Sequence, residues 1–294
     1  MEYPPEDHFG YGLRISGLGG VVELPTSGEA ASTAVHLAQT TERPPEPDPL
    51  DAEGGILALA DGRHLALARR QGTATFYGPP IAPDQLAHPY LGPVATVFGR
   101  WAGREAFHAG AAAVDGQAWC VLGPRTAGKS TLMAALAARG LPVVSDDILV
   151  TDGTVAFTGP RCIDLRHPPR DLGPGCGLAA MEPRPARDGT RWRLALPPLA
   201  GRIPLGGWLF LGWGPSLTLV PVGGVELLAR LAQRRAWQTL VSDPAVVLAL
   251  ASLPAYDLVR PADWSVLDAT CALIASMSTS QSPDVPDRVA GSAA

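Results

Sequence analysis

Short apolar runs separated by turn residues make up most of the first ninety residues, a pattern typical of β-strands. Strands are predicted at residues 11–24 (as a hairpin), 56–60, 64–69 and 73–77. Asp61-Gly62 separates two of these runs and favours a tight hairpin turn. Residues 41–53 are rich in Pro, Glu and Asp, which indicates a linker. The sequence therefore predicts a β-rich N-terminal region over residues 1–91.

From residue 92 onward the pattern changes to helices alternating with strands, the order that an α/β fold requires. Helices are predicted at residues 94–106, 129–139, 225–235 and 262–277, and strands at residues 117–122, 141–144, 148–150, 191–196, 207–211 and 217–222. We predict an α/β core over residues 92–277. Residues 278–294 are rich in Ser, Pro and Ala, which predicts a disordered tail.

Composition and charge exclude several classes of protein. Of the 294 residues, 46% are hydrophobic and 17% are charged, as in globular proteins. The net charge of −5 argues against a nucleic-acid-binding surface. Glycines and a proline interrupt the longest apolar stretch, residues 205–222, so no membrane span is predicted. The first thirty residues lack the pattern of a secretory signal. We therefore expect a cytoplasmic protein with reduced thiols at Cys120, Cys162, Cys176 and Cys271.

The segment from Gly123 to Ser130 reads G-x-x-x-x-G-K-S and lies between a predicted strand and a predicted helix. In such a phosphate-binding loop, backbone N–H groups converge on the phosphates of a nucleoside triphosphate. Lys129 would reach the outer phosphates, and the Ser130 hydroxyl would bind Mg²⁺. The predicted nucleotide contacts are Gly123, Pro124, Arg125, Thr126, Ala127, Gly128, Lys129, Ser130 and Thr131. The expected cofactors are ATP and Mg²⁺, but the motif names no reaction.

Two adjacent carboxylates, Asp146 and Asp147, follow the strand predicted after the phosphate-loop helix. Ligands of open α/β sheets collect beyond the carboxyl ends of the strands, so this pair and the loop should share one crevice. One carboxylate can hold Mg²⁺ directly or through water, and the other can accept the proton of an attacking hydroxyl. The alternative is that the pair only caps a turn. His108, taken alone, is more typical of a surface or core-edge residue.

Taken together, these residues resemble the HPr kinase/phosphorylase superfamily and its bacterial serine-kinase-like relatives. The resemblance rests on His108 fifteen residues before the first glycine of the loop, on G-x-x-x-x-G-K-S-T, on a helix ending in Arg139-Gly140, and on the V-S-D-D run from Val144 to Asp147. It implies a P-loop kinase core. It also implies that His108 lies beside the transferred phosphoryl group, that Asp147 accepts the proton, and that Asp146 lies on the metal side.

The resemblance extends to the loop from Gly159 to Arg166, in which Arg161 and Arg166 are either contacts to the phosphates or the substrate, or solvated surface arginines. The phosphate loop departs from the family pattern at residues 125–127. The glutamate-containing signature loop of the HPr-phosphorylating enzymes is not recognisable after Arg161. These departures favour a relative that acts on a hydroxyl other than that of HPr. Such relatives resemble kinases of lasso and other ribosomal peptide pathways, in which a peptide serine is phosphorylated.

The expected function is therefore an ATP- and Mg²⁺-dependent kinase with Lys129, Asp147 and His108 as catalytic residues and a peptide or protein serine as acceptor. Two alternatives stay open. One is a kinase for a small-molecule hydroxyl, such as free serine or a sugar, and the other is a non-catalytic ATP-binding accessory protein. The N-terminal region is either a docking module for a peptide or a structural cap. Formation of a homo-oligomer is also left open.

Two remaining groups of side chains are expected to have structural roles only. Arg230, Arg234 and Arg235 lie on one predicted helix, and such a basic cluster is typical of a solvated face. Trp208 and Trp213 lie in predicted strands and are expected in the core. No residue can be assigned to the adenine base from the sequence.

Overall fold

The computed structural model describes residues 6–28, 33–167, 172, 182–186 and 189–277. The predicted tail, residues 278–294, lies outside the described residues, as does Cys176. The described strands form sheets of six, nine and three strands. Within these ranges, no helix has both the length and the apolar character needed to cross a membrane.

The N-terminal region contains a six-stranded sheet. Its strands are β1 (His8–Gly10), β2 (Leu13–Ser16), β3 (Thr33–Thr40), β4 (Gly54–Ala58), β5 (His64–Ala68) and β6 (Thr73–Tyr77), in the order β1-β2-β3-β6-β5-β4. The hairpin at Asp61-Gly62 is confirmed. The hairpin predicted over residues 11–24 is wrong, because β2 pairs with β1 and β3 and the chain turns away at Gly17. A Cβ at Gly17 would lie 2.0 Å from the Leu37 carbonyl oxygen.

Helical segments connect the first sheet to the rest of the chain. They are α1 (Pro83–Gln85), a kinked segment (Leu86–Tyr90) in which His88 has an extended backbone (φ −156°, ψ 123°), and α2 (Leu91–Trp101). The helix predicted over residues 94–106 begins and ends earlier, because the chain turns at Gly103 (φ +77°) into a strand. Val94 and Phe98 of α2 pack in one hydrophobic core with Leu13 of the first sheet. The predicted domain boundary falls at the start of α2, between segments that share this core.

The nine-stranded sheet is the centre of the α/β core. The remaining strands are β7 (Glu105–Phe107), β8 (Gly110–Val114), β9 (Gln117–Leu122), β10 (Val143–Ser145), β11 (Leu149–Thr151), β12 (Val155–Phe157), β13 (Cys162–Leu165), β14 (Glu182–Ala186), β15 (Gly189–Ala195), β16 (Arg202–Trp213), β17 (Thr218–Pro221) and β18 (Ala255–Arg260). The order β10-β8-β9-β16 continues on one branch to β18 and β17, and on the other to β12, β11 and β7. The apolar stretch of residues 205–222 is thus two strands around a turn, as predicted.

The remaining helices are α3 (Lys129–Ala138), α4 (Gly224–Arg234), α5 (Pro244–Ala251) and α6 (Leu267–Ala275). The predictions for α3 and α4 are confirmed to within one residue. The helix predicted over residues 262–277 is shorter, because residues 264–266 form a 3₁₀ turn before α6 begins. Helix α5 and strand β18 were not predicted, since short apolar runs carry no periodicity that separates helix from strand.

Alternate residues of the central strands pack against helices on opposite faces of the sheet, as the period of two requires. Val121 and Leu209 pack with α3 and α6, whereas Cys120 and Trp208 pack with α4 and α5. Both faces of the sheet are therefore covered. Trp208 is fully buried, which confirms the prediction that it belongs to the core.

The three-stranded sheet, in the order β13-β15-β14, packs on the same side as α3. Ile163 of β13 and Leu194 of β15 join the core that contains α3. The sheet thus places the segment after β13 next to the amino end of α3.

The described cysteines agree with the expectation of reduced thiols. Cys120, Cys162 and Cys271 are buried free thiols.

The basic cluster on α4 packs against the protein more closely than a solvated face would. Arg230 Nη1 lies 2.5 Å from Asp257 Oδ1, and the guanidinium groups of Arg230 and Arg234 lie 5.0 and 5.9 Å from the centre of the Phe210 ring. These arginines therefore cover an aromatic side chain of the central sheet.

Candidate active site

Four strands of the central sheet point the same way and end at one edge. Strand β9 runs parallel to β16, and β16 runs parallel to β18. Strand β10 also has this direction, because β10 and β9 are each antiparallel to β8 between them. The segments following these four carboxyl ends lie together, as expected for the ligand-binding edge of an α/β sheet. The phosphate loop follows β9, and Asp146 follows β10.

The phosphate loop turns sharply from β9 into α3. Thr126 (φ +71°) and Gly128 (φ +81°) both adopt left-handed backbone conformations. A side chain at Gly123 would be crowded, since a Cβ would lie 3.1 Å from both Ala127 Cβ and Leu211 Cβ. The loop therefore favours glycine at position 123 because of this close packing and at position 128 because of the backbone angle. This conformation leads directly into the amino end of α3, where free N–H groups attract anions.

Lys129 is the sole lysine of the sequence, and its side chain is largely buried. Its Nζ donates to the Gly123 carbonyl at 3.0 Å and to the Pro124 carbonyl at 3.3 Å. Burial lowers the pKa of Lys129, while the charges of Asp146 and Asp147 oppose that shift. The ammonium group thus lies inside the loop and next to the acidic pair.

Asp146 is 5% exposed and lies beside the Ser130 hydroxyl. Burial, together with repulsion from Asp147, raises the pKa of Asp146 to about 6, and the polar interaction with Ser130 opposes this rise. Within the part of the chain that the structure describes, Asp146 Oδ1 is buried and accepts no hydrogen bond. A buried carboxylate oxygen next to a hydroxyl is a donor set that suits Mg²⁺. No three His, Cys, Asp or Glu side chains among the described residues could hold a metal ion alone.

The side chain of Asp147 lies in a different environment from that of Asp146. Its backbone is left-handed (φ +68°), and this turns its side chain toward His108, whose Nδ1 lies 3.1 Å from Asp147 Oδ1. Although burial opposes the shift, the hydrogen bond from His108 and the electrostatic attraction of His88 hold the pKa of Asp147 at about 2. The side chains of Asp147 and His108 are 37% and 55% exposed. The two adjacent carboxylates therefore differ in both proton affinity and access to solvent.

One cleft of about 760 Å³ brings most of the predicted site residues together. The predicted residues that line it are His108, Arg125, Thr126, Gly128, Lys129, Ser130, Thr131, Asp146, Asp147 and Arg166. Gly123, Pro124 and Ala127 belong to the loop but do not line the cleft. Most of the site residues predicted from the sequence therefore line one cleft. Some residues of the phosphate loop face this cleft, and the others support the loop from behind.

Arg161 is a correction to the predicted site. It is 9% exposed and does not line the cleft, and its Nε donates to the Pro197 carbonyl at 2.9 Å. Burial lowers its pKa to about 10. Arg161 lies one residue before β13, and its side chain is directed toward the Pro197 carbonyl and away from the cleft.

Sequence reasoning missed His88 and Asp164, which both line the cleft. His88 lies at the kink of the segment Leu86–Tyr90 in the N-terminal region, and its Nε2 lies 3.9 Å from Asp164 Oδ2. Arg193 holds this group in place. Its guanidinium binds both carboxylate oxygens of Asp164 at 2.7 Å, Glu23 at 2.7 Å and the His88 carbonyl at 3.0 Å. No local motif marks these residues, because they meet only in the folded chain.

Trp213 is a second correction, because it is 47% exposed and does not belong to the core. It is the last residue of β16 and lies beyond the covered part of the sheet, where the guanidinium of Arg260 stacks 4.5 Å from its ring centre. Arg260 Nη2 also donates to the Ala127 carbonyl at 3.0 Å. Arg260 was not predicted, and it supports the phosphate loop from the side of β18.

Comparisons with known proteins add little information about function to this geometry. No family model and no curated protein matches the chain. The chain is similar to the solved structure of the HPr(Ser) kinase/phosphatase from Coxiella burnetii, with 14% sequence identity and a TM-score of 0.29. The match covers 57% of this chain and 93% of that protein. Similarity at this level assigns no activity, so the function has to be argued from the cleft.

Proposed function

We propose that this chain is an ATP- and Mg²⁺-dependent kinase that transfers the γ-phosphoryl group to the hydroxyl of a serine in a peptide or protein. The observation that carries the proposal is the 3.1 Å contact between His108 and Asp147 beside the phosphate loop, with Asp146 and Ser130 next to it. Phosphoryl transfer needs a phosphate cradle, a metal position and a group that orients the acceptor. Each has candidate side chains in this one cleft.

The loop residues would bind and orient the nucleotide. The N–H groups at the start of α3 and the ammonium of Lys129 face the phosphates, and Lys129 exchanges its bonds to the loop carbonyls for bonds to phosphate oxygens. Ser130 and Asp146 would hold Mg²⁺, which neutralises charge on the phosphates when it is bound. Asp146 suits this role, because a cation next to a buried carboxylate favours its ionised form.

Asp147 would receive the proton of the attacking hydroxyl. As the acceptor oxygen forms its bond to the γ-phosphorus, the bond from that phosphorus to the bridging oxygen breaks, ADP departs, and the proton moves to the Asp147 carboxylate. The low pKa of Asp147 keeps it ionised at neutral pH, so it is ready to accept this proton. His108 positions the carboxylate through the 3.1 Å contact and stabilises its negative charge.

The acceptor is proposed to be large because the acidic group that faces it is open to solvent. Asp147 is 37% exposed and His108 is 55% exposed, so a serine on a peptide can reach both. A kinase for a small molecule would enclose this group to exclude water. Arg166, which lines the cleft near its exposed rim, is proposed to contact the phosphates or the acceptor.

The direct test measures transfer from γ-labelled ATP with Mg²⁺ to a panel of serine-bearing peptides. Asp147→Asn should slow the transfer step about 10²- to 10⁴-fold, the usual contribution of a positioned proton acceptor. Its affinity for ATP should stay close to that of the wild type. Asp115→Asn is a matched control, because Asp115 also has a left-handed backbone (φ +48°) but lies in the exposed β8–β9 turn.

Three results would contradict the proposal. If Asp147→Asn transfers phosphate as fast as the wild type, Asp147 is not the proton acceptor. If the wild type binds ATP and Mg²⁺ but neither transfers nor hydrolyses the γ-phosphoryl group, the accessory-protein alternative is correct. Transfer to free serine or a sugar, but to no peptide, would identify a small-molecule kinase.

A further inference from the structure

The sheet order fixes the direction in which a nucleotide extends from the phosphate loop. The loop follows β9, and the acidic pair follows β10 on one side of it. The γ-phosphoryl group must face Asp147 in the proposed function, so the nucleoside has to leave the loop on the opposite side. That side is formed by the carboxyl ends of β16 and β18, which run parallel to β9.

An aromatic and cationic group occupies that side of the loop. Trp213 at the end of β16 lies opposite Arg260 at the end of β18 in the parallel register. A Cβ added at Gly128 would lie 2.9 Å from Arg260 Nη2 and 3.7 Å from Trp213 Cη2. These two side chains therefore contact the loop directly, and no nucleoside can pass between them and Gly128.

Trp264 lies just beyond this group, in the 3₁₀ turn that follows β18. Its side chain is 56% exposed and lines the cleft that contains Lys129 and Ser130. The turn is held by the Asp263 side chain, which accepts a hydrogen bond from the Ser265 N–H at 2.9 Å. An exposed indole on an ordered turn offers a flat apolar surface at a defined position of the backbone.

We propose that Trp264 is the stacking surface for the base of the nucleotide, on the side of the loop where Trp213 and Arg260 lie. This inference rests on the proposed function for the identity of the ligand, a nucleoside triphosphate. Stacking recognises the face of a base and not its edge, so the subsite would favour a large purine without selecting its exocyclic groups. The binding energy from the base then adds to that from the phosphates.

The experiment compares binding of Mg²⁺–ATP with binding of Mg²⁺–tripolyphosphate, which has the phosphates but no nucleoside, by titration calorimetry. The wild type should bind ATP more tightly than tripolyphosphate. Trp264→Ala should weaken ATP binding about 5- to 140-fold, the range for loss of one base-stacking contact. Its affinity for tripolyphosphate should stay within about twofold, which also shows that the variant is folded.

Two further variants sharpen the comparison. Trp264→Phe keeps an aromatic face and should retain most of the ATP affinity. Leu248→Ala removes another exposed apolar side chain, 60% exposed on α5 and outside the cleft, and should change neither affinity.

The outcomes separate this inference from the proposed function. If the wild type binds tripolyphosphate as tightly as ATP, or if Trp264→Ala binds ATP normally, the stacking site is wrong while the phosphate site stands. If the wild type binds neither ligand, the proposed function fails and the inference fails with it.

Discussion

Asp146→Asn should make the protein more stable at neutral pH in the absence of Mg²⁺. The folded protein holds this carboxyl at a pKa of about 6, whereas the ordinary value of an aspartate is 3.8. At about 1.36 kcal/mol per pKa unit, the difference corresponds to about 3 kcal/mol. Because the pKa is raised in the folded state, ionisation of Asp146 destabilises the fold. That destabilisation is absent below pH 3.8 and complete above about pH 6.

The assay is urea unfolding of the wild type and of Asp146→Asn between pH 4 and pH 8, without Mg²⁺ or nucleotide. The stability of the wild type relative to the variant should fall by about 2 kcal/mol as the pH rises from 4 to 6, and by less than about 1 kcal/mol more between pH 6 and pH 8. Asp147 does not interfere in this window, because its pKa of about 2 lies below it. Asp115→Asn serves as a control and should show no such pH dependence, since its side chain is in an exposed turn.

Two results would refute this reasoning. The first is a difference in unfolding free energy between wild type and Asp146→Asn that does not change between pH 4 and pH 8. The second is a variant that is less stable than the wild type at pH 8. A supporting measurement adds Mg²⁺ and ATP, which should stabilise the wild type through binding but should stabilise Asp146→Asn much less.

Three further predictions concern the surroundings of the cleft. Gly128→Ala and Gly140→Ala should each cost about 1–2 kcal/mol, because both glycines have φ +81°. Only Gly128→Ala should lose affinity for Mg²⁺–ATP in calorimetry, since a Cβ at Gly140 meets no atom within 4 Å; equal affinities would contradict the loop geometry. Arg193→Ala should cost about 3–5 kcal/mol in urea unfolding, because it removes the guanidinium that hydrogen-bonds two buried carboxylates, and a loss below 1 kcal/mol would show that the network is not structural. His108→Gln should raise the pKa of Asp147 from about 2 toward 3.8, measured by NMR titration of its carboxyl carbon; an unchanged pKa would mean that the 3.1 Å contact does not set it.

The parts of the cleft that are local in sequence could be predicted from it. The phosphate loop is recognisable because strand, glycine-rich turn and helix follow one another within some twenty residues. Asp146 and Asp147 could be placed beside it because strands that run in the same direction end at the same edge of a sheet. These inferences need only the order of strands and helices along the chain, and the pattern of hydrophobic residues predicts that order.

The parts that depend on tertiary packing could not be predicted. His88 and Arg193 lie 105 residues apart in the chain and meet only because the N-terminal region folds against the three-stranded sheet. Trp213 was predicted in the core from its strand pattern, but that pattern does not show where a strand extends past its neighbours. Arg161 was placed in the cleft by resemblance, and the direction of its side chain depends on the carbonyl of Pro197.

The core that α2 shares with the first sheet makes the two halves of the molecule inseparable. A shortened protein that begins at residue 92 would expose the apolar face of α2 to water and lose His88, one wall of the cleft. It would also leave the guanidinium of Arg193 without Glu23. Substitutions that disturb the packing between α2 and the first sheet should therefore displace His88 and change the shape of the cleft, although they lie outside it.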